Sequence, residues 1–171
     1  MAVLAVTGLL VGCSSGGSAP MASMPSANAH NAQDITFAQS MIVHHTGAIA
    51  MADLATTRAS STKIKDLAAQ IKAAQQPEID EMTAWLKGWG EPVTMPGMTP
   101  HDMAMLSATA GPAFDKEFLT LMIQHHKNAV SMANDQLSKG QNTAAKKLAQ
   151  SIISSQSKEI DSMRTMLTSL G

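Results

Sequence analysis

The chain has no tyrosine, only three phenylalanines and two tryptophans among 171 residues, so aromatic platforms for stacking nucleobases are missing. Net charge is scarce too: 12 Lys and Arg against 13 Asp and Glu give −1, with a pI near 6.6. Without a basic footprint for phosphates, a nucleic-acid partner is not expected. A single cysteine excludes an intramolecular disulfide and a thiolate metal cluster. Stability must therefore come from packing, and the length suits one well-filled domain better than two. What the chain has in quantity is methionine, 14 residues in all.

The lone cysteine stands in a suggestive place. Residues 2–11 form an apolar run, too short to span a bilayer, followed by Gly12-Cys13 and a Ser/Gly stretch. Leu10-Val11-Gly12-Cys13 resembles the bacterial lipobox, in which the cysteine is acylated. No basic residue precedes Arg58, so a start upstream of Met1 is expected. This pattern predicts a signal and lipobox remnant over 1–13, lipidation at Cys13 and a protein tethered to a membrane outside the cytoplasm. Residues 14–33 carry no hydrophobic period and read as a flexible tether.

Beyond the tether the sequence repeats itself at a fixed offset of 81 residues. Phe37–Ala52, with Met41, His44, His45, Ala48 and Met51, returns as Phe118–Ala133, with Met122, His125, His126, Ala129 and Met132. Over 34–90 against 115–171, 21 of 57 positions are identical, where average composition gives roughly 4. The apolar residues recur with helical spacing, and no strand signal is present. Helices are predicted from Asp34, over about 62–86, from Gly111-Pro112 to Lys139-Gly140, and over about 143–170, with a short one in 102–110. Gly140 is expected to serve as a C′ glycine after a cationic last turn, and Pro77 to kink the second helix. Two such hairpins bury their stripes best as an all-α four-helix bundle over 34–171. Its parts are repeat 1 (34–90), a Met-rich connector (91–111) and repeat 2 (112–171).

Polar residues stand on the faces that this bundle must bury. His44, His45, His125 and His126 lie among Phe, Met and Ala, while Gln75, Glu78, Gln156 and Glu159 lie among Ile, Leu and Met. A buried unpaired charge is costly, so these groups must bond each other or a ligand. A doubled His-His pair in one helical phase points to metal. Neighbouring rings on a helix diverge by about 100°, so one can ligate while its neighbour reaches a Glu. Glu78 and Glu159, with Gln75 and Gln156, are expected to orient the imidazoles. Thioether plus imidazole suits Cu(I), with Cu(II) reachable through nitrogen and other transition metals compatible. Met41, Met51, Met122 and Met132 flank the histidines as candidate donors. Met95, Met98, His101, Met103 and Met105 in the connector form a candidate auxiliary site.

The stretch Asp115–Ala133, its earlier copy, and the connector residues Met95-Pro-Gly-Met98 and Met103-Ala-Met105-Leu106 resemble the domain-of-unknown-function 305 family. The resemblance covers about 34–170. It implies a ferritin-like bundle in a secreted or lipid-anchored protein, and copper handling as in one branch of that family. Lys127-Asn128 replace Thr46-Gly47, so the halves need not bind equally. The reading is an extracytoplasmic copper-binding protein that buffers or hands over copper, for homeostasis or resistance. A membrane reached through the lipid anchor and copper-transport or copper-accepting proteins are its partners. The sequence does not decide between four histidines meeting in one bundle and meeting in a homodimer. No nucleophile–base arrangement is visible, so hydrolysis is not expected. Two alternatives stand beside it: a ferritin-like dinuclear redox enzyme, and a helical interaction module whose polar core sets register.

Overall fold

The computed structural model describes residues 29–93 and 100–170, in which five helices are found. They are α1 (Ala32–Arg58), α2 (Thr62–Trp89), α3 (Pro100–Ser107), α4 (Gly111–Lys139) and α5 (Thr143–Ser169). No strand occurs among the described residues, where the one extended pairing is an isolated bridge between Ala59 and Gly111. Among them, too, no helix is long and apolar enough to cross a membrane. Cys13, Met95, Met98 and the side chain of His101 lie outside the described residues.

The sequence dictates the helix ends locally. Asn31 and Asp34 form a reciprocal capping box on α1, with the Asp34 N–H donating to Asn31 Oδ1 at 3.1 Å and the Asn31 N–H to Asp34 Oδ2 at 2.8 Å. Asn142 caps α5 by accepting the Ala145 N–H at 3.0 Å. Pro112 occupies the first turn of α4, where its missing N–H is harmless. Gly90 ends α2 in the left-handed conformation (φ 77°) that glycine adopts without strain. Pro77 lies inside α2, which is assigned as one helix across it.

Gly140 departs from the expected C′ role. Its backbone is extended (φ −71°, ψ 160°), not left-handed. A Cβ at Gly140 would run into the Gln136 side chain, whose Nε2 donates to Asp34 Oδ1 at 2.5 Å. Glycine is there to make room.

Helix α1 packs on α2, α4 packs on α5, and the two hairpins meet through α1 and α4. Two apolar clusters fill the ends of the bundle. One holds Ala48, Met51, Leu67, Ile71, Phe114, Phe118, Leu119, Met122 and Met163. The other holds Phe37, Met41, Ile42, Met82, Leu86, Ala129, Leu148 and Ile152. Each fully buried large side chain contributes roughly 2 kcal/mol through water exclusion. Since α1 runs from the second cluster to the first and α4 from the first to the second, both carry their His-His pairs midway.

Aspartates at equivalent positions lock the hairpins together. Asp34, fully buried at the start of α1, accepts the N–H groups of Gln141 and Asn142 in the α4–α5 turn, at 3.1–3.2 Å. Asp115, 81 residues on, accepts Ser60 N–H at 3.1 Å, Ser60 Oγ–H at 2.6 Å and Ser61 N–H at 3.0 Å in the α1–α2 turn. Each half braces the other's turn.

Candidate metal centre

Between the two apolar clusters lies a layer of imidazoles built twice over. His45 on α1 is fully buried, and its Nε2 lies 2.6 Å from Glu78 Oε2 on α2. His126 on α4 is likewise buried, with its Nε2 2.6 Å from Glu159 Oε2 on α5. Antiparallel packing within each hairpin brings position 45 to position 78, and the repeat reproduces the pair. With a carboxylate as acceptor, Nε2 carries the proton, and in the neutral ring the Nδ1 lone pair is left for another partner. The carboxylates are the wetter ends, with side chains 18% and 26% exposed.

His44 and His125 face each other across the α1–α4 interface. Their ring centroids are 3.6 Å apart and the planes are tilted by 42°. That spacing is ring-to-ring contact and leaves no room for an ion between them. Burial, and then the neighbouring His45 and His126 rings, push the His44 pKa down to about 3. Burial, with His44, His126 and His45 behind it, pushes that of His125 down to about 2, against a small opposing pull from the His44 backbone. Both rings are thus neutral at physiological pH, the form that offers a lone pair to a metal.

Buried polar atoms are nearly always hydrogen-bonded, so the exceptions are informative. Eight buried side-chain N or O atoms among the described residues have no partner within the protein. Five belong to these histidines: Nδ1 of His44, His45, His125 and His126, and Nε2 of His44. Two more are the amide oxygens of Gln75 and Gln156, each 3% exposed. No three His, Cys, Asp or Glu side chains among the described residues already form a cage. These nitrogens are buried and without a partner in the protein, but paired off rather than gathered around one point.

The thioethers fall into two groups. Met41, Met51 and Met122 are buried, Met41 in one cluster and Met51 and Met122 in the other. Met132 is only partly buried against its cluster. Met103 is partly buried on α3, and Met105 is exposed at 41%. Neither is brought to the imidazole layer. At the next turn beyond the histidines the halves differ: Gly47 is buried, whereas Asn128 is exposed and accepts Gln124 Nε2–H at 3.0 Å.

A protein-family model described as "Domain of unknown function (DUF305)" matches residues 34–167, most of the chain. The chain belongs to this family. A DUF305 protein from Streptomyces coelicolor, described as secreted, is 29% identical, with a TM-score of 0.77 over 85% of this chain and 96% of that one. A DUF305 fragment from Deinococcus radiodurans is 28% identical, with a TM-score of 0.75 over 81% and 97%. CopM in its Cu(II)-bound form is 36% identical, with a TM-score of 0.74 over 81% and 97%. CopM is also similar in Cu(I)-bound, Ag-bound and apo forms. No protein of curated function matches the chain significantly. The DUF305 fold is therefore an all-α bundle in this chain as in its relatives.

Two sets of residues in this DUF305 bundle escaped the sequence reading. Asp34 and Asp115 brace the turns, and their identity at the first position of both repeats was the available signal. Met82 and Met163 are fully buried, four residues beyond Glu78 and Glu159. Their recurrence at the 81-residue offset, four residues beyond the glutamates, was the available signal.

Proposed function

We propose that the chain is an extracytoplasmic copper-binding protein that buffers copper or passes it on, in copper homeostasis or resistance. The observation that carries this reading is the layer of four imidazoles, two fully buried and tied to glutamates and two half-buried, whose Nδ1 atoms are all buried without a partner in the protein. A carboxylate on the far nitrogen of a histidine is how metal-ligating imidazoles are commonly oriented. His44, His45, His125 and His126 are the proposed ligands, with Met41, Met51, Met122 and Met132 as neighbouring thioethers. Cu(I) is the favoured ion, Cu(II) binding through nitrogen. Met95, Met98, His101, Met103 and Met105 are the proposed auxiliary site, and Cys13 the proposed lipid anchor. The likeness to copper-bound CopM at 36% identity supports the metal, and the secreted relative supports the compartment. A dinuclear iron reading lacks carboxylates, because Glu78 and Glu159 are both committed to imidazoles.

The test is an anaerobic Cu(I) titration of the chain against a chromophoric chelator, repeated on the His44/His45/His125/His126→Ala variant. Tight binding that the variant loses supports the imidazole site. Tight binding that survives moves the site to the connector, and no binding leaves the layer a structural network.

A further inference from the structure

The two methionines that the ligand set above omits carry an inference of their own, resting on that copper reading. Met41 lies four residues before His45 on α1, and Met82 four residues after Glu78 on α2. Because α1 and α2 run antiparallel, these two steps lead the same way along the bundle, by four residues or about 6 Å. Met41 and Met82 therefore share one level beside the His45–Glu78 pair. Both are fully buried, and both belong to the same apolar cluster. The second hairpin does the same at the other end: Met122 and Met163, fully buried, share a level beside His126–Glu159 in the opposite cluster.

Helix geometry directs the imidazoles toward the level of these methionines. A long helical side chain points back over the turn that precedes it, which for His45 is the turn of Met41 and for His126 that of Met122. Each ring uses Nε2 on its glutamate and keeps a buried Nδ1 without a protein partner. Methionine is also specific to these places. The equivalent positions 67/148, 71/152 and 86/167 fill the same stripes with Leu or Ile, so a buried filler did not have to be a thioether. All four methionines recur although the two copies differ at 36 of 57 positions (57 − 21).

We infer that each hairpin holds its own soft-metal site, formed by one imidazole Nδ1 and two thioethers: His45, Met41 and Met82 in the first, His126, Met122 and Met163 in the second. Two neutral sulfurs and one nitrogen in a dry pocket suit a monovalent soft cation of the Cu(I) kind. The His44–His125 ring contact lies between the two sites and belongs to neither. Met51, six residues past His45, and the half-buried Met132 also fall outside, so the two sites narrow the broader ligand set proposed above. The bundle then carries two copper ions, one per repeat, instead of one ion shared at the centre.

Counting equivalents decides this. The full chain is titrated anaerobically with Cu(I) against a chelator, beside Met82→Leu, Met163→Leu and Met41→Leu, changes that conserve volume; circular dichroism checks the fold. Each single variant is expected to hold one tight equivalent fewer than the unaltered chain, and Met82→Leu with Met163→Leu two fewer. Copper K-edge absorption should show fewer sulfur neighbours per ion. Unchanged stoichiometry and affinity in Met82→Leu and Met41→Leu, with copper still bound, would overturn the two-site inference and leave the copper reading standing. Loss of every bundle equivalent from one single variant would overturn it as well, in favour of a shared site. No copper on the unaltered chain would remove both readings.

Discussion

Glu78 and Glu159 decide which nitrogen the neighbouring imidazole presents, so a single atom change should be felt at the metal. Glu78→Gln keeps an acceptor for His45 Nε2–H but removes the charge that strengthens the bond. Copper affinity is expected to fall about tenfold to a hundredfold with little change in melting temperature, as chelator competition and calorimetry would show. Equal affinity would mean that ring orientation is fixed by packing alone. Gly140 is the other residue whose identity the structure explains. Gly140→Ala forces the Gln136 amide off Asp34 and should cost about 1–3 kcal/mol. The first half shows the remedy: Ala55 and Ala59 stand where the second has Gln136 and Gly140. Gln136→Ala removes the side-chain clash but leaves the Gln136 carbonyl oxygen 2.7 Å from the added Cβ, so in that background Gly140→Ala should lose part of its cost, a non-additivity that a double-mutant cycle by urea denaturation would reveal.

Helices were the legible part of this molecule, because caps, glycines and a twice-written apolar stripe mark them in the sequence itself. The bonds that fix one hairpin against the other were not. Asp34 meets residues 107 and 108 positions away, and Asp115 meets residues 54 and 55 positions away. A side chain bonded to a distant backbone N–H leaves no period to read. The same holds for the His–Glu contacts, 33 residues apart: the stripes placed both partners on inward faces, but only the antiparallel register made them neighbours. The turn braces should bear much of the bundle's cooperativity. Burial pushes the Asp34 carboxyl up, but the Gln136 amide and the backbone N–H groups of Asn31, Gln141 and Asn142 outweigh it and hold its pKa below the ordinary value. Asp115 is 1% exposed and accepts three bonds. Asp115→Ala leaves two turn N–H groups unsatisfied and should cost about 2–4 kcal/mol, read as a lower urea midpoint. A loss below about 0.5 kcal/mol would show that the turn holds itself.

At the scale of the whole molecule, two apolar ends enclose a polar middle, and that middle makes the fold sensitive to acid. His44 and His125 keep pKa values near 3 and near 2 in the folded chain, whereas unfolded imidazoles titrate near 6.5. Both folded values lie below the unfolded one, so the unfolded state binds more protons as pH falls. Stability is therefore complete above pH 6.5 and declines from there toward pH 3. The limiting slope for two rings is about 2.7 kcal/mol per pH unit, and their partial exposure makes the real one smaller. Asp34 acts in the same direction but only below its unfolded value of 3.8, which leaves the interval from pH 6.5 to 4.5 to the histidines. Urea midpoints of the metal-free chain should fall across that interval. In His44→Leu/His125→Leu the fall should become shallower, since an apolar pair at these positions has nothing to titrate. Bound copper should offset the fall differently, by stabilising the folded chain wherever the ion stays bound, and the full acid loss should return when a chelator removes the metal. A metal-free chain equally stable at pH 4.5 and 7 would mean that the layer opens to water and that His44 and His125 are not held neutral by burial.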